Sequence, residues 1–372
     1  MSGDHASAIV IGAGVFGASL ARELAARDWQ VSLLDPFAPG HARATSGDDG
    51  RFIRYVHRDD PDDWYTRSAL RARDLWRDLG EAVGEQLLVP CGHMWMVTQE
   101  EGWEREAAQR SRASGVALEI VDAARAADAL PGLRHDDIHF VLYEPDAGVL
   151  RARRGVQALV AEAQRLGATF SYARATPARD GALVDGSLVH ADRIVWACGP
   201  WLASLFPDEV RLAVRRGDQF YFGAQDGWRV GDVPAWCDPA ASLYGYGDLD
   251  GLGVKAMHAD HDGPIVDPDH MRREPNVARE RDTRRALAQR FPTLADAPLI
   301  GARVCQYELT ADRHFVIAPR PDDSRVWLLG GGSGHGFKHG PALAQFVADA
   351  IEDRVAVPAR FGLHERLVAG PR

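Results

Sequence analysis

Gly12, Gly14 and Gly17 form a GxGxxG turn between an apolar run at 8–11 and a helical run at 18–27, with Val15 and Phe16 inside the motif. The first glycine permits a tight turn, the second lets backbone approach a pyrophosphate, and the third lets the helix lie close to the strand. The helix start then offers N–H groups and a partial positive charge to phosphates. A second apolar run, 31–34, ends in Asp35, where a carboxylate can accept hydrogen bonds from a ribose hydroxyl. Strand, glycines, helix, strand and acid stand in the order a dinucleotide requires, which outweighs an idle glycine turn. The motif does not separate NAD from FAD. Its place at the start of the chain, without a second fingerprint, favours FAD.

Two other residues stand where surface chemistry would not put them. Lys255 lies in a strand-like run between Val254 and Ala256. Few lysines occupy such surroundings without a reason, the plainer alternative being a solvated lysine on a polar strand face. Along 303–309 a period of two puts Arg303, Cys305, Tyr307 and Leu309 on one face. A thiol beside an arginine ionises more easily; the alternative is a buried, inert cysteine. Cys91, Cys198, Cys237 and Cys305 are far apart and lack metal-ligand spacing. No metal is expected, and reduced thiols point to a cytoplasmic protein.

These residues need elements to hold them. The loop 36–50 is polar and carries Arg43, Thr45 and Ser46. A strand ending near 197 runs into Gly199 and Trp201, the kind of strand end where a doubly wound sheet meets its dinucleotide. A glycine-rich turn, 330–340, contains Gly334, Gly336 and Phe337 and precedes a helix opened by Pro341. Its N–H groups can face an anion. Helices are expected at 64–79, 100–114, 123–130, 153–166 and 276–290. Strands dominate 211–257 and 303–309. Alternation followed by a run of strands predicts an α/β fold with an α+β substrate part. In it a Rossmann-like FAD-binding domain is interleaved with a mostly antiparallel-sheet substrate domain. The expected division assigns 1–86, 147–215 and 310–372 to the first and 87–146 and 216–309 to the second.

The 372 residues exceed one ordinary domain, and 46% hydrophobic with 26% charged residues is a globular composition. A formal charge of -10 disfavours nucleic acid and anionic membranes as partners. No apolar run is long enough for a membrane span, and residues 1–7 lack the pattern of a signal peptide. A monomer is the expected state.

Five blocks together resemble the sarcosine oxidase and N-methyltryptophan oxidase branch of the D-amino-acid-oxidase-like flavoenzymes. They are GAGVFG at 12–17, GRFIR at 50–54, LYGYGDLDGLGVKA at 243–256, ARVCQYELTADRHFVI at 302–317 and GGSGHGFKHG at 331–340. The resemblance implies FAD bound covalently through Cys305, with Arg51 beside the flavin. It makes Lys255 the cation that serves molecular oxygen, since a fixed charge in a dry site stabilises charge developing there. Arg54 and Lys338 match a pair that holds a substrate carboxylate, and Tyr244 and Tyr307 match tyrosines lining the substrate cavity.

The chain also departs from that pattern. His57 stands where the family has a tyrosine, and Ala259 where it has a histidine, with His258 one step earlier. His57 and His258 therefore enter the candidate site, and sarcosine itself is not assumed. The implied reaction is oxidation of a small amine, with hydride passing to flavin, an imine as product, and oxygen becoming hydrogen peroxide. Three alternatives stand beside it: a flavin dehydrogenase using another acceptor, a non-catalytic flavin-binding protein, and a nicotinamide dehydrogenase.

Overall fold

The computed structural model describes residues 5–58, 60–179, 181–224, 226–258 and 264–363. The apolar strand Ser7–Ile11 lies mid-sheet, paired in parallel with Gln30–Asp35 on one side and Arg193–Trp196 on the other. Thr169–Tyr172 extends the first side; Val326–Gly330 and the antiparallel edge strand Val316–Pro319 extend the second. A parallel strand covered on both faces is apolar along its whole length, and Ala8, Val10, Ile9 and Ile11 are all buried. Helices Val15–Ala26, Ala152–Arg165 and Gly340–Ile351 pack together beside this sheet.

The second sheet has eight strands: Leu299–Leu309, Ala213–Phe222, Val254–His258, Leu243–Tyr246, Ala235–Asp238, His93–Val97, Phe140–Glu144 and Glu119–Val121, in spatial order. All its neighbours are antiparallel except Ala235–Asp238 with His93–Val97. The expected mixture of a Rossmann-like sheet and a mostly antiparallel one is what the chain forms. Ala213–Phe222 carries the chain into the second sheet, so the division expected after residue 215 falls inside a strand.

Differences in detail have local causes. The helix expected from residue 100 begins at Trp103, after a turn in which Gly102 has an extended backbone. The span 175–189 folds as a three-stranded meander, Ala175–Ala178, Gly181–Val184 and Ser187–Val189, whose strands are too short to show a period. Gly50–Ile53, Gly148–Arg151 and Leu88–Pro90 make another small sheet, which brings the arginines of 51–54 beside the second large sheet. Ala259 and the tail from residue 364 lie outside the described residues. Among the described residues no helix is long and apolar enough to cross a membrane.

The glycines of the first turn act through space they leave empty. A Cβ on Gly17 would lie 1.9 Å from the Gly12 carbonyl oxygen, and Gly12 itself has φ +104°. A Cβ on Gly14 would meet only the Ser46 hydroxyl, at 3.5 Å. Gly17→Ala is thus expected to cost at least about 1–3 kcal/mol in denaturant unfolding, because backbone must shift. Gly14→Ala is expected to leave stability nearly unchanged and to impair dinucleotide binding. Equal stability losses in both would show that the turn is not built as described.

Candidate functional site

Strand ends of both sheets and the loops between them enclose a cavity of about 710 Å3. At one end Gly12, Gly14, Val15 and Phe16 line it with Asp35, Gly199 and Trp201. Asp35 is tied back to the turn, accepting from the N–H of Ala13 at 2.8 Å and of Phe37 at 2.8 Å. Ser46 accepts from the Val15 N–H at 3.0 Å and so fixes the loop to the helix start. The strand Arg193–Trp196 delivers Gly199 and Trp201, and the Trp201 indole donates to Asp269 at 3.0 Å. An open glycine backbone, a helix start and a strand-end carboxylate suit the pyrophosphate and ribose of a dinucleotide. Gly17 lies behind this wall, where its role is steric.

Farther along, Thr45, Arg51, Arg54, Tyr244, Lys255, Tyr307, Gly334, Gly336, Phe337 and Lys338 line the same cavity. The glycine turn after Val326–Gly330 presents Gly334, Gly336, Phe337 and Lys338, and the Trp76 indole holds it by donating to the Lys338 carbonyl at 2.9 Å. Arg54 donates to the Val56 carbonyl at 2.7 Å and its guanidinium lies 4.5 Å from the Trp95 ring centre. Lys338 donates to the His335 carbonyl at 3.0 Å. Burial, with Arg54 nearby, pushes the Lys338 ammonium well below its usual range. The Tyr244 and Tyr307 hydroxyls are 2.7 Å apart and both reach the Met257 sulfur. Burial pushes both phenols up, so they stay neutral.

Lys255 and Arg51 share one acid, Asp48. The Asp48 carboxylate is fully buried and accepts from both cations and from the Tyr221 hydroxyl at 2.7 Å. Burial alone would raise it, but Lys255 and Arg51 hold it well below the usual carboxylate range. Arg51 also donates to the Cys305 sulfur at 3.2 Å and to the Thr45 carbonyl at 2.9 Å. Cys305 is buried behind these two cavity residues rather than in the wall. The sequence pairs the thiol with Arg303, but Arg303 engages Asp49 at 2.6 Å and Arg51 takes that place. Nor is the thiol more easily ionised: burial outweighs Arg51 and raises it.

The two histidines stand apart from the wall. His57 packs in a buried ring cluster, 5.4 Å from Tyr65, 5.4 Å from His335 and 5.5 Å from His339. Burial and Lys338 keep it well below its usual range, hence neutral. His258 faces away: alternation along Val254–His258 sends Lys255 to the cavity, Met257 to the Tyr244 and Tyr307 hydroxyls, and His258 towards Arg279 and Asp282.

Asp48, Trp95, Glu144 and Glu308 were not among the residues singled out in the sequence. Two adjacent acids before Arg51 were the available signal for Asp48; Glu144, in a turn-like stretch, gave none. Glu308 lines the cavity and accepts from the Thr45 hydroxyl at 2.9 Å, and burial raises it. Glu144 accepts from the backbone N–H of Tyr55 at 2.5 Å and Val56 at 3.3 Å and from the Trp95 indole at 2.8 Å. His93 Nδ1 lies 3.6 Å away, and burial keeps that imidazole below its usual range. N–H donors, more than an ion pair, therefore hold Glu144. Burial would raise this carboxyl, but His93 and the donors bring it below the ordinary range.

The model of the family described as FAD dependent oxidoreductase matches residues 7–350, and the chain belongs to that family. A monomeric sarcosine oxidase from Bacillus sp. (strain B-0618) is 25% identical over 360 residues, covering 92% of this chain and 91% of the relative. One from Streptomyces avermitilis is 29% identical over 381 residues, covering 98% of each. The crystal structure of L-proline dehydrogenase from P. horikoshii matches with a TM-score of 0.86 and 18% identity, over 97% of each chain, a likeness of fold.

Glu144→Ala would strand three buried donors and is expected to cost about 3–5 kcal/mol in urea unfolding. Glu144→Gln, which keeps an acceptor oxygen, should cost clearly less. The native carboxyls of Asp48 and Glu144 sit below their unfolded values, so their contribution is full above about pH 4–5 and fades as pH falls further. Glu144→Gln should therefore flatten the acid side of the stability profile. An unchanged profile would mean that Glu144 does not carry it.

Proposed function

From membership of the FAD dependent oxidoreductase family, we propose that this chain is an oxidase of a secondary amine or amino acid bearing a carboxylate. The observation that carries the reading is one cavity lined by the dinucleotide turn, by Arg54 and Lys338, and by Lys255. The division into a flavin domain and a substrate domain belongs to the same reading. Bound FAD would accept the substrate's hydride and return the electrons to oxygen.

The chain's residues bind and orient. Arg54, steadied by the Val56 carbonyl and the Trp95 face, offers a planar fork, and Lys338 a point charge. A carboxylate held there fixes which substrate C–H faces the cofactor. Tyr244, Tyr307 and Phe52 wall the cavity and exclude water. The substrate carbon bonded to nitrogen gives up a hydride, leaving an imine that hydrolyses in water or cyclises. Oxygen takes up two electrons and two protons to become hydrogen peroxide. Lys255 supplies a fixed positive charge where negative charge develops on oxygen. His57 stays a neutral support behind the substrate wall, and His258 has no part in it.

Covalent attachment belongs to the same reading: Cys305 touches Arg51 and lies 3.9 Å from the Thr45 carbonyl, both residues of the cavity wall. After acid precipitation the pellet should stay yellow, and Cys305→Ala should release the flavin into the supernatant. A colourless pellet from fully loaded protein overturns the attachment and leaves the oxidase reading standing. A second reading, a dehydrogenase that passes electrons to a quinone or a protein, is favoured by one observation: Asp48 offsets the charge of Lys255.

Oxygen uptake with peroxide release, screened over N-methyl, cyclic and primary amino acids, separates the two. Lys255→Met then tests the mechanism. Stopped-flow reoxidation of reduced enzyme should slow about a hundredfold to a thousandfold, with reduction by substrate far less affected. If reduction collapses while reoxidation is unchanged, Lys255 serves substrate binding and not oxygen.

A further inference from the structure

Lys255 is buried in the wall of the cavity, and its neighbours among the described residues include the loop before Arg51 and the two strands beside its own. The Asp48 carboxylate accepts a hydrogen bond from its ammonium, and the Gly50 carbonyl lies 3.4 Å from its nitrogen. The Tyr246 ring centre is 5.3 Å away, and Arg51 and the Cys305 thiol are the other ionisable neighbours. The opposite strand contributes Tyr221, whose hydroxyl goes to Asp48. Burial and the adjacent Arg51 act against a charged lysine and on balance bring it below its ordinary range. Only Asp48 favours it strongly.

We infer that Asp48 is a positioning residue for the oxygen half-reaction, pinning Lys255 at the cavity wall and keeping it protonated across the neutral range. The inference rests on the oxidase reading and deepens it. Asp48 itself does not line the cavity; it acts through the lysine. Two donors besides Lys255, Arg51 and Tyr221, fix the carboxylate, so its geometry does not depend on the lysine it holds. Asp48 also sits in the loop that follows the dinucleotide strand, so the same contact ties that loop to the second sheet.

The sign of the effect is definite. Without the anion, burial and Arg51 act unopposed, and the lysine's proton affinity drops. In Asp48→Asn, reoxidation of the reduced flavoenzyme should fall as pH rises, by about tenfold per unit once the lysine is neutral. In the unmutated enzyme it should be flat across the neutral range, because Asp48 opposes the loss of the proton that burial and Arg51 promote. Asp48→Asn/Lys255→Arg should be flat again, because arginine does not lose its proton. The absorption spectrum of the oxidised flavin should titrate with the same midpoint in Asp48→Asn, a signature that a purely structural role would not give.

A flat profile in Asp48→Asn with flavin retained overturns the inference. Should that variant fail to hold flavin, the unmutated enzyme decides: a sloping reoxidation profile that Lys255→Arg abolishes overturns the inference, and a flat one upholds it. If Lys255→Met leaves reoxidation untouched, it is the assignment of Lys255 to oxygen that fails, and that result stands apart from any effect of Asp48.

Discussion

Two cations, Lys255 and Arg51, lie side by side in the interior, and the Asp48 carboxylate between them makes that arrangement tolerable. Taking an ammonium and a guanidinium out of water costs several kcal/mol each, and one of them left unpaired would destabilise the fold. Asp48 meets both, with Tyr221 taking a further lone pair. Because Asp48 comes from the loop after the first βαβ unit and Lys255 from the second sheet, the ion cluster joins the two halves of the molecule where the cavity runs between them. Arg51 then reaches Cys305 and Thr45, so the position of the thiol follows from the same cluster.

The rest of the site is held by groups in or behind the cavity wall. Glu144 gathers the backbone after Arg54 and the indole of Trp95, and Trp95 supports the guanidinium. Trp76, on the long helix Trp64–Val83, fixes the Lys338 carbonyl. Arg54 and Lys338 are thus each set by a second residue, which gives that part of the cleft a fixed geometry.

What the sequence made legible was local. The glycine turn, the acid at the end of the second strand and the helix opened by Pro341 depend on residues adjacent in the chain, and each formed where its pattern indicated. Lys255 stood out because a lysine inside an apolar strand contradicts its surroundings. The illegible part was pairing across long separations. Arg303 lies two residues from Cys305, yet the arginine that meets the thiol is Arg51, 254 positions away. His258 is close to the site by number, and the one-residue step along its strand, readable in the sequence itself, turns it outward. Glu144 carries no motif at all, since its function lies in three donors that folding brings to it.

The charges also differ along the cavity in a way that bears on what enters it. Lys255 and Arg51 share one acid, Asp48, so that part of the wall has a carboxylate partner for its cations. Arg54 and Lys338 are instead held by the backbone carbonyls of Val56 and His335. Lys338 is pushed well below its ordinary range by burial and by Arg54, with Glu144 and Asp60 opposing only in part. A buried pair short of one negative charge is a poor resting state and a good receptor. An entering carboxylate would supply the missing charge, let Lys338 take up its proton, and turn a cost of the empty fold into binding energy available only to an anionic substrate.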